Sequence, residues 1–450
     1  MEKEQTKGEI RALSVARWFD PLVSVSLATF LFLALYATRI SDVQLTLLIV
    51  FITSAFLFIS EFSRASWKFS ERPQQSFGAL LDRTITKFSG VLVGILFIFF
   101  AVWLFPAYDN ETNLGRLREA APIALAFLIP ASFFLVWVTE YILGEKRDGT
   151  FQLGLLARFK IREINWTTFS DGVREWILRA FFLLINFYAA VFYVASVRRS
   201  GIPDMSSGFA DFITRLDLAI FGLIIFAILP GYLFASRLIS TEIKKVDRTW
   251  FGWAINFSCY PPLNAAVFSG WVTYRPTLEM RELYGDLPVW AYHTLGEVSL
   301  LYAVGTVIIF FAFIHLWGEA IMGIRSANIS SRGIITTGLF RWTKHPIYVA
   351  KCFQWAFIFF PILNAIGFLN AMQSGILFLL VCAIYAGRAL SEERLLAEDP
   401  NYIKYALYMD KHSMFAFVGR WFPFMSFHWR YNYWMKKGML DPVAVQQATS

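Results

Sequence analysis

Long apolar segments recur along nearly the whole chain, and they constrain its fold more than any other feature. Each is long enough to cross the hydrocarbon core of a bilayer, where only helices and closed barrels satisfy their backbone hydrogen bonds. Apolar residues make up 57% of the chain and charged residues only 16%, outside the range of soluble domains. We therefore predict an all-α polytopic membrane protein with about ten transmembrane helices. The predicted spans are 20–39, 43–61, 89–108, 120–143, 176–197, 215–235, 251–272, 297–318, 346–363 and 371–388.

Two features argue against a secreted or metal-binding protein. The start of the chain, MEKEQTKGEIRALSVARWFD, is too polar and too acidic for a cleaved signal peptide, so we expect the first apolar segment to be an anchor. The three cysteines, Cys259, Cys352 and Cys382, all fall inside predicted helices and show no metal-ligand spacing. We therefore expect neither disulfides nor a metal site.

The basic residues are distributed unevenly between the two sets of loops. The net charge is +8, but the Lys and Arg residues are spread over many short loops, so we expect a lipid bilayer and no nucleic acid as partner. With the N-terminus inside, the inner loops hold nineteen basic residues and the outer loops hold six. Because basic loops stay in the cytoplasm, we predict that both termini are cytoplasmic.

The chain divides into two regions of different texture. Residues 1–296 hold seven apolar segments joined by polar loops, and we predict an N-terminal membrane domain of unknown role. Residues 297–450 hold three segments and a polar, aromatic-rich tail. We place the boundary within 273–296, which carries Pro, Gly and charged residues as connectors do. The inner loop 144–175 mixes basic and apolar residues, and we expect a helix there that lies on the membrane surface.

The seventh apolar segment carries two successive prolines, Pro261 and Pro262, close to Asn256 and Asn264. Prolines break the helical hydrogen-bond ladder and free backbone carbonyls, which then need neighbours or water. The pattern is typical of the wall of a substrate cavity and equally of a packing kink, and the sequence leaves both open.

A polar, aromatic-rich stretch, GLFRWTKHPIYVAKCFQW, runs into the predicted span 346–363. Pro346 suits the first turn of a helix, where its missing N–H costs nothing. His345 then lies at the positive end of that helix beside Lys344, a place that favours carboxylates and phosphates. Gly338 allows the loop backbone to approach a ligand closely. These residues predict an anion-binding site at the membrane edge.

A second polar motif, AGRALSEERLLAEDPNYIKYALYM, follows the last span. Arg388 and Glu392 share a helix face because they are four residues apart, and Glu393 follows directly. The short loop NAIGFLNA makes the last two spans an antiparallel hairpin, which returns these residues to the side that holds His345. Cationic and anionic groups therefore converge on one rim, a suitable pocket for a zwitterionic cofactor.

The two motifs with a helical hairpin between them resemble the C-terminal part of the isoprenylcysteine carboxyl methyltransferase-like family of integral membrane methyltransferases. That family shows a Gly-aromatic turn, a basic residue, His-Pro and Tyr, then an Arg, a Glu-Glu pair and spaced tyrosines. Its relatives include phospholipid methyltransferases and, more distantly, sterol reductases. The resemblance covers about residues 328–410. Lys344 stands where the family more often has arginine.

The resemblance implies that S-adenosyl-L-methionine binds at the cytoplasmic end of the hairpin. The implied catalytic residues are Arg388, which would orient the acceptor or a cofactor carboxylate, and Glu392. The implied cofactor-binding residues are Gly338, His345, Pro346, Tyr348, Glu392, Glu393 and Tyr405. Methyl transfer from a sulfonium needs mainly alignment and exclusion of water.

The predicted function is therefore that of a membrane methyltransferase acting on a membrane lipid or a lipidated or isoprenoid acceptor, with carboxyl O-methylation as the family's best-known reaction. We expect it in the bacterial inner (plasma) membrane, with its active site facing the cytoplasm. One alternative is a sterol-reductase-like enzyme that uses NADPH, although the Glu-Glu pair favours methyl transfer. Another is a transporter or sensor whose first seven helices carry the function while the hairpin only packs.

Two further features carry weaker predictions. His315 and Glu319 lie one helical turn apart near the inner end of the span 297–318, where ionisable groups suggest function. No third metal ligand is visible, and we favour an interhelical hydrogen bond there. The tail segment 420–439 is rich in Trp, Tyr and basic residues, which predicts an interfacial belt and, as an alternative, a roof over the pocket.

Overall fold

The computed structural model of the protein describes residues 6–16, 20–64, 76–104, 113–260, 290–291, 298–326, 328–359 and 368–440. Within these ranges the protein is all-α, as predicted, apart from one pair of two-residue strands, β1 (Lys245–Val246) and β2 (Ser330–Ser331). The helices before residue 261 are α1 (Lys7–Ala12), α2 (Asp20–Leu35), α3 (Asp42–Arg64), α4 (Phe77–Leu104), α5 (Asn113–Leu143), α6 (Gly149–Ala157), α7 (Trp166–Ser200), α8 (Phe209–Leu233) and α9 (Trp250–Phe257). Those after residue 291 are α10 (Val298–Met322), α11 (Pro346–Phe359), α12 (Phe368–Leu396), α13 (Pro400–His412), α14 (Ala416–Trp421) and α15 (Phe427–Lys436).

Seven helices of the described part of the chain are long and apolar enough to cross a membrane, so the protein is a polytopic membrane protein. They are α3, α4, α5, α7, α8, α10 and α12, and each overlaps one predicted span. The predicted span 20–39 forms α2, whose 16 residues are fewer than a typical crossing requires. The spans 251–272 and 346–363 begin in α9 and α11 and then continue into residues outside the described ranges, as do Pro261 and Pro262.

The spanning helices extend beyond the apolar segments that predicted them. Helix α4 begins at Phe77 rather than at residue 89, and its early turns carry charged side chains. The Nζ atom of Lys87 lies 3.1 Å from Glu140 Oε1 on α5 and 2.7 Å from Asp148 Oδ2 just before α6. Because neighbouring helices neutralise these charges, the helix continues through a polar stretch that a hydropathy argument excludes.

The expectation of a surface helix in 144–175 is wrong in its placement. Helix α6 does form there, but it is enclosed by α4 and α7, and residues 149–155 are all buried. An ideal Cβ on Gly154 would lie 1.7 Å from the backbone oxygen of Thr86 on α4. A Cβ on Gly149 would lie 2.3 Å from the Cα atom of Gly172 on α7. Paired glycines therefore let three backbones touch, which draws the segment into the protein.

The first part of the chain packs directly against the last part. Helix α8 lies along α10, and α9 lies against α12. Lys245 of β1 pairs with Ser331 of β2 in antiparallel register, which ties the segment after α8 to the loop after α10. The predicted connector 273–296 lies outside the described residues except for Trp290 and Ala291, so the division at 296 stays a prediction.

Candidate functional site

The loop and helix start that the motif HPIY predicts are present. Pro346 is the first residue of α11, and Val349 N–H donates to the carbonyl of His345 at 3.2 Å. His345 therefore precedes the helix directly, at its positive end. Its ring stacks on Tyr348 one turn later, with the centroids 5.6 Å apart.

Helices α11 and α12 bring His345 and the glutamate pair together. Nε2 of His345 lies 3.1 Å from Glu393 Oε1, and Nδ1 lies 3.7 Å from Glu392 Oε2. These contacts join residues almost fifty positions apart in the chain. The predicted convergence of the two motifs on one rim is present in the structure.

Glu393 is the buried centre of this cluster. Its side chain receives contacts from His345 Nε2, from Lys344 Nζ at 3.1 Å and from the guanidinium of Arg430 on α15. The residue is only 2% exposed, and Lys344 also pairs with Asp410 Oδ1 at 3.1 Å. Glu393 therefore holds the loop, α12, α13 and α15 together, and its oxygens are already engaged.

Glu392 has a different environment although it is the next residue. Its side chain keeps 27% of its exposure, and its Oε1 accepts a hydrogen bond from the Tyr348 hydroxyl. Arg388 Nε lies 3.5 Å from the same oxygen. The other oxygen, Oε2, faces the His345 ring. Glu392 is thus an oriented carboxylate that remains open to a ligand.

Arg388 is buried and joins the hairpin to the first part of the chain. Its Nη2 donates to Asn328 Oδ1, and its guanidinium lies 5.0 Å above the Tyr348 ring centroid. Asn328 Nδ2 donates in turn to the hydroxyls of Tyr232 at 2.7 Å and Tyr260 at 2.8 Å. Sequence reasoning missed Asn328, Tyr232 and Tyr260, because isolated polar residues in apolar surroundings form no motif.

Gly338 and Tyr405 shape the loop before His345. Gly338 has φ of +61°, and a Cβ there would lie 2.2 Å from Ile321 Cδ1 on α10. The Tyr405 hydroxyl on α13 donates to the carbonyl of Phe340 at 2.6 Å. Burial raises the pKa of Tyr405, and nearby Glu393 raises it further, so the hydroxyl stays protonated and remains a donor. Both residues position the loop backbone that the resemblance assigns to cofactor binding.

The start of the chain is a second support for this loop, and sequence reasoning did not predict it. Val15 N–H donates to the carbonyl of Ile334 at 2.9 Å. The hydroxyl of Thr336 donates to the carbonyl of Ile10 at 2.8 Å, and that of Thr337 donates to Ala16 at 3.0 Å. The threonine side chains thus fix the loop to α1 and to the segment that follows it.

The tail contacts the site, in agreement with the alternative of a roof. Arg430 on α15 binds Glu393, and Met414 N–H donates to the carbonyl of Trp342 at 2.9 Å. Aromatic side chains of the same tail remain exposed, with Trp421 at 79%, as an interfacial belt requires. The contacts support the roof, and the interfacial belt stays a prediction.

His315 and Glu319 lie where α10 meets α11, and in the described part of the chain neither makes the interhelical hydrogen bond that we expected, since Glu319 Oε1 lies 3.9 Å from Lys351 Nζ on α11. Nε2 of His315 lies 3.7 Å from Glu319 Oε1, and among the described residues neither ring nitrogen has a hydrogen-bond partner. Within the described ranges, no group of three His, Cys, Asp or Glu residues could hold a metal. This pair therefore lies apart from the contacts around Glu393.

A cleft of about 640 Å³ lies beside α12, lined by Arg394 and Glu398 together with Asp247 and other residues of the loops around α6 and β1. Most of its charges are paired, as Arg248 is with Asp171 at 2.5 Å. None of the predicted site residues lines it. The sequence motifs point instead to the rim at His345 and Glu392.

The match to a known protein family lies in the C-terminal region of the chain. Residues 281–412, less than half of the chain, match a family described as a protein of unknown function, DUF1295. That family is a distant relative of steroid 5-alpha reductase and PEMT-like membrane proteins. No curated protein and no solved structure matches the chain.

Proposed function

We propose that the protein is an integral membrane methyltransferase that transfers a methyl group from S-adenosyl-L-methionine to a lipophilic or lipidated acceptor. The observation that carries this proposal is the pair of environments at Glu392 and Glu393. The Glu393 carboxylate contacts His345, Lys344 and Arg430. The Glu392 carboxylate is oriented by Tyr348 and Arg388 and stays open beside the His345 ring. An open carboxylate next to a helix N-terminus suits a ligand that carries both an ammonium and a carboxylate.

The residues at the rim fit the amino-acid part of this cofactor. Glu392 would accept hydrogen bonds from its ammonium. His345 and the N-terminus of α11 would receive its carboxylate. Gly338 and Tyr405 would act through the loop backbone that they shape. Pro346 would set the helix start, and Glu393 would position His345.

The cofactor, when bound, supplies an electrophilic methyl on a sulfonium. The chain's own residues then have to align the acceptor and exclude water. Tyr348 and Arg388 fix the orientation of Glu392 from the membrane side. Arg430 and α15 cover Glu393 from the tail side. Carboxyl O-methylation is the reaction that the resemblance implies.

A membrane reductase that uses NADPH is the second candidate. The matched family is distantly related to steroid 5-alpha reductase, and a tyrosine hydroxyl bonded to a carboxylate, such as Tyr348 with Glu392, is a plausible proton donor. NADPH also needs cations for its 2′-phosphate. Lys344 and Arg430 are already paired with Glu393, and Arg388 with Asn328. Because these three cations already have partners, they are less available to a 2′-phosphate, and this favours S-adenosylmethionine over NADPH as the cofactor.

The experiment is an equilibrium titration of the purified protein in lipid nanodiscs with S-adenosylmethionine, S-adenosylhomocysteine and NADPH. We expect the first two to bind and NADPH not to bind. The variant Glu392→Gln should weaken binding about tenfold or more, since it removes a charged hydrogen-bond acceptor. Glu398→Gln, in the turn directly after α12 and paired with Lys245 away from His345, is the matched control. Binding of NADPH alone would contradict the proposal.

A further inference from the structure

A second group of ionisable side chains lies inside the membrane-spanning part of the protein. His315 and Glu319 lie one turn apart on α10, and Lys351 Nζ on α11 lies 3.9 Å from Glu319 Oε1. The two helices approach closely here, since a Cβ on Gly318 would lie 2.6 Å from Ile347 Cγ1. The close approach brings the lysine next to the pair.

These three groups are near each other without being hydrogen-bonded to each other. The His315 to Glu319 distance is 3.7 Å, the Glu319 to Lys351 distance is 3.9 Å, and His315 is only 1% exposed. Both distances exceed hydrogen-bonding length, and neither ring nitrogen of His315 has a hydrogen-bond partner among the described residues. Charged groups in a membrane are costly, and unbonded ones add little stability. The cluster therefore has the properties of a binding site.

Aromatic side chains connect this cluster to the rim. Lys351 Nζ lies 5.8 Å from the Tyr385 ring centroid, and the Tyr385 ring lies 5.6 Å from that of Tyr348. Tyr348 in turn bonds Glu392. Lys351 is three residues beyond Tyr348 on α11, about 4.5 Å further along the axis. The cluster is thus about one helical turn deeper than the proposed cofactor site.

We propose that His315, Glu319 and Lys351 form the acceptor end of the active site and bind the hydroxyl head group of a phenolic or enolic lipid. Lys351 would stabilise the oxyanion that forms as the proton leaves. Glu319 would disfavour a head group that is permanently anionic, such as a carboxylate, so the inferred acceptor differs from the carboxyl acceptor that the resemblance implies. Neither nitrogen of His315 has a hydrogen-bond partner among the described residues, so one is available to the hydroxyl. The assignment as an acceptor site rests on the proposed methyl transfer.

The reaction balances with these groups. A bond forms between the acceptor oxygen and the methyl carbon of S-adenosylmethionine, while the bond from that carbon to sulfur breaks and its electron pair stays on sulfur. The hydroxyl proton passes to a ring nitrogen of His315 and then to water. The Glu319 carboxylate, 3.7 Å from Nε2, favours the imidazolium that forms. The products are the methyl ether, S-adenosylhomocysteine and a proton.

The test measures binding of tritiated 4-dodecylphenol to the full chain in nanodiscs without any methyl donor. We expect saturable binding that weakens about tenfold or more in Lys351→Met and in His315→Phe, since each removes a buried polar partner. Lys411→Met, at an exposed position of α13, is the control and should bind as the wild type does. Dodecanoate should compete less well than unlabelled phenol. Equal binding by both variants, or equal competition by dodecanoate, would overturn the inference.

A second measurement on the same samples separates this inference from the proposed function. In His315→Phe, the affinity for S-adenosylmethionine should be unchanged, while methyl transfer to 4-dodecylphenol should fall about a hundredfold, as expected for loss of a general base. Unchanged transfer would remove His315 from the acceptor site and leave the methyltransferase proposal intact. A third outcome is that the protein binds the phenol in a way that depends on Lys351 but does not bind S-adenosylmethionine. That outcome would support the lipid site and contradict the proposed methyl transfer.

Discussion

Glu392 and Glu393 show how adjacent residues of one motif acquire different roles. Consecutive helical positions point about 100° apart, so one carboxylate turns into the cluster of Lys344, His345 and Arg430 while the other faces the open rim. The sequence predicted both as ligand-binding residues. It could not rank them, because Arg430 comes from the tail and its pairing with Glu393 depends on the tertiary fold.

The first prediction compares Glu393→Gln with Glu392→Gln. Removing the Glu393 charge leaves Lys344 and Arg430 without their shared buried partner, which should cost about 3 kcal/mol of stability. Glu392 is partly exposed, so its replacement should lower stability by about 1 kcal/mol or less. Thermal unfolding midpoints in one detergent measure both. A lower midpoint for Glu392→Gln than for Glu393→Gln would contradict this division of roles.

At the scale of helices, apolar length predicted the elements well and their ends poorly. Seven predicted spans coincide with long helices because a bilayer-spanning run of apolar residues has no other solution for its backbone. The polar starts of helices such as α4 could not be predicted, since the partners of Lys87 lie on α5 and before α6. The burial of α6 depends on glycine contacts between three helices, and a single helix pattern does not contain that information.

The glycine contact between α4 and α6 gives a second prediction. In Gly154→Ala the new Cβ would meet the Thr86 backbone oxygen at 1.7 Å, so the helices must separate at a cost of about 1–3 kcal/mol. Gly78→Ala, where nothing lies within 4 Å of the new Cβ, is the matched control and should be neutral or slightly stabilising. The midpoint of thermal unfolding decides between them, and equal midpoints would refute close packing of α6.

At the scale of the whole molecule, the first part of the chain supplies structure to the site. Tyr232 from α8 holds Asn328, which holds Arg388, and the segment Ile10–Ala16 holds the loop before His345. The local motifs at the rim were predicted from the sequence because each is continuous. These supports were not, since their partners are separated by up to several hundred residues and nothing in one stretch refers to the other.

Asn328 provides the third prediction. In Asn328→Ala, Arg388 loses its acceptor and its orientation toward Glu392. We therefore expect affinity for S-adenosylmethionine to fall about 5- to 30-fold, a loss of about 1–2 kcal/mol. Asn328→Asp keeps an acceptor for Arg388 and should retain more affinity than the alanine variant. Isothermal titration of the three proteins measures the effect. Wild-type affinity in Asn328→Ala would remove this network from the site.

Orientation gives the fourth prediction. From the distribution of basic residues between the loops, we predict that the rim faces the cytoplasm and that the loop 198–214 lies outside. In a variant without Cys259, Cys352 and Cys382, a cysteine introduced by Met205→Cys should react with a membrane-impermeant maleimide in intact cells. One introduced by Lys411→Cys should react only after the cells are opened. The reverse pattern would place the site on the outer side.

The central claim is methyl transfer at the Glu392 rim, and labelled transfer into lipid tests it most directly. The purified protein in nanodiscs is incubated with S-adenosylmethionine labelled in its methyl group and a total lipid extract, and label in the lipid fraction is counted. We predict label in a discrete lipid with the wild type, loss of about tenfold or more with Glu392→Gln, and little change with Glu398→Gln. No label in lipid, together with oxidation of NADPH that depends on the same extract, would contradict the account.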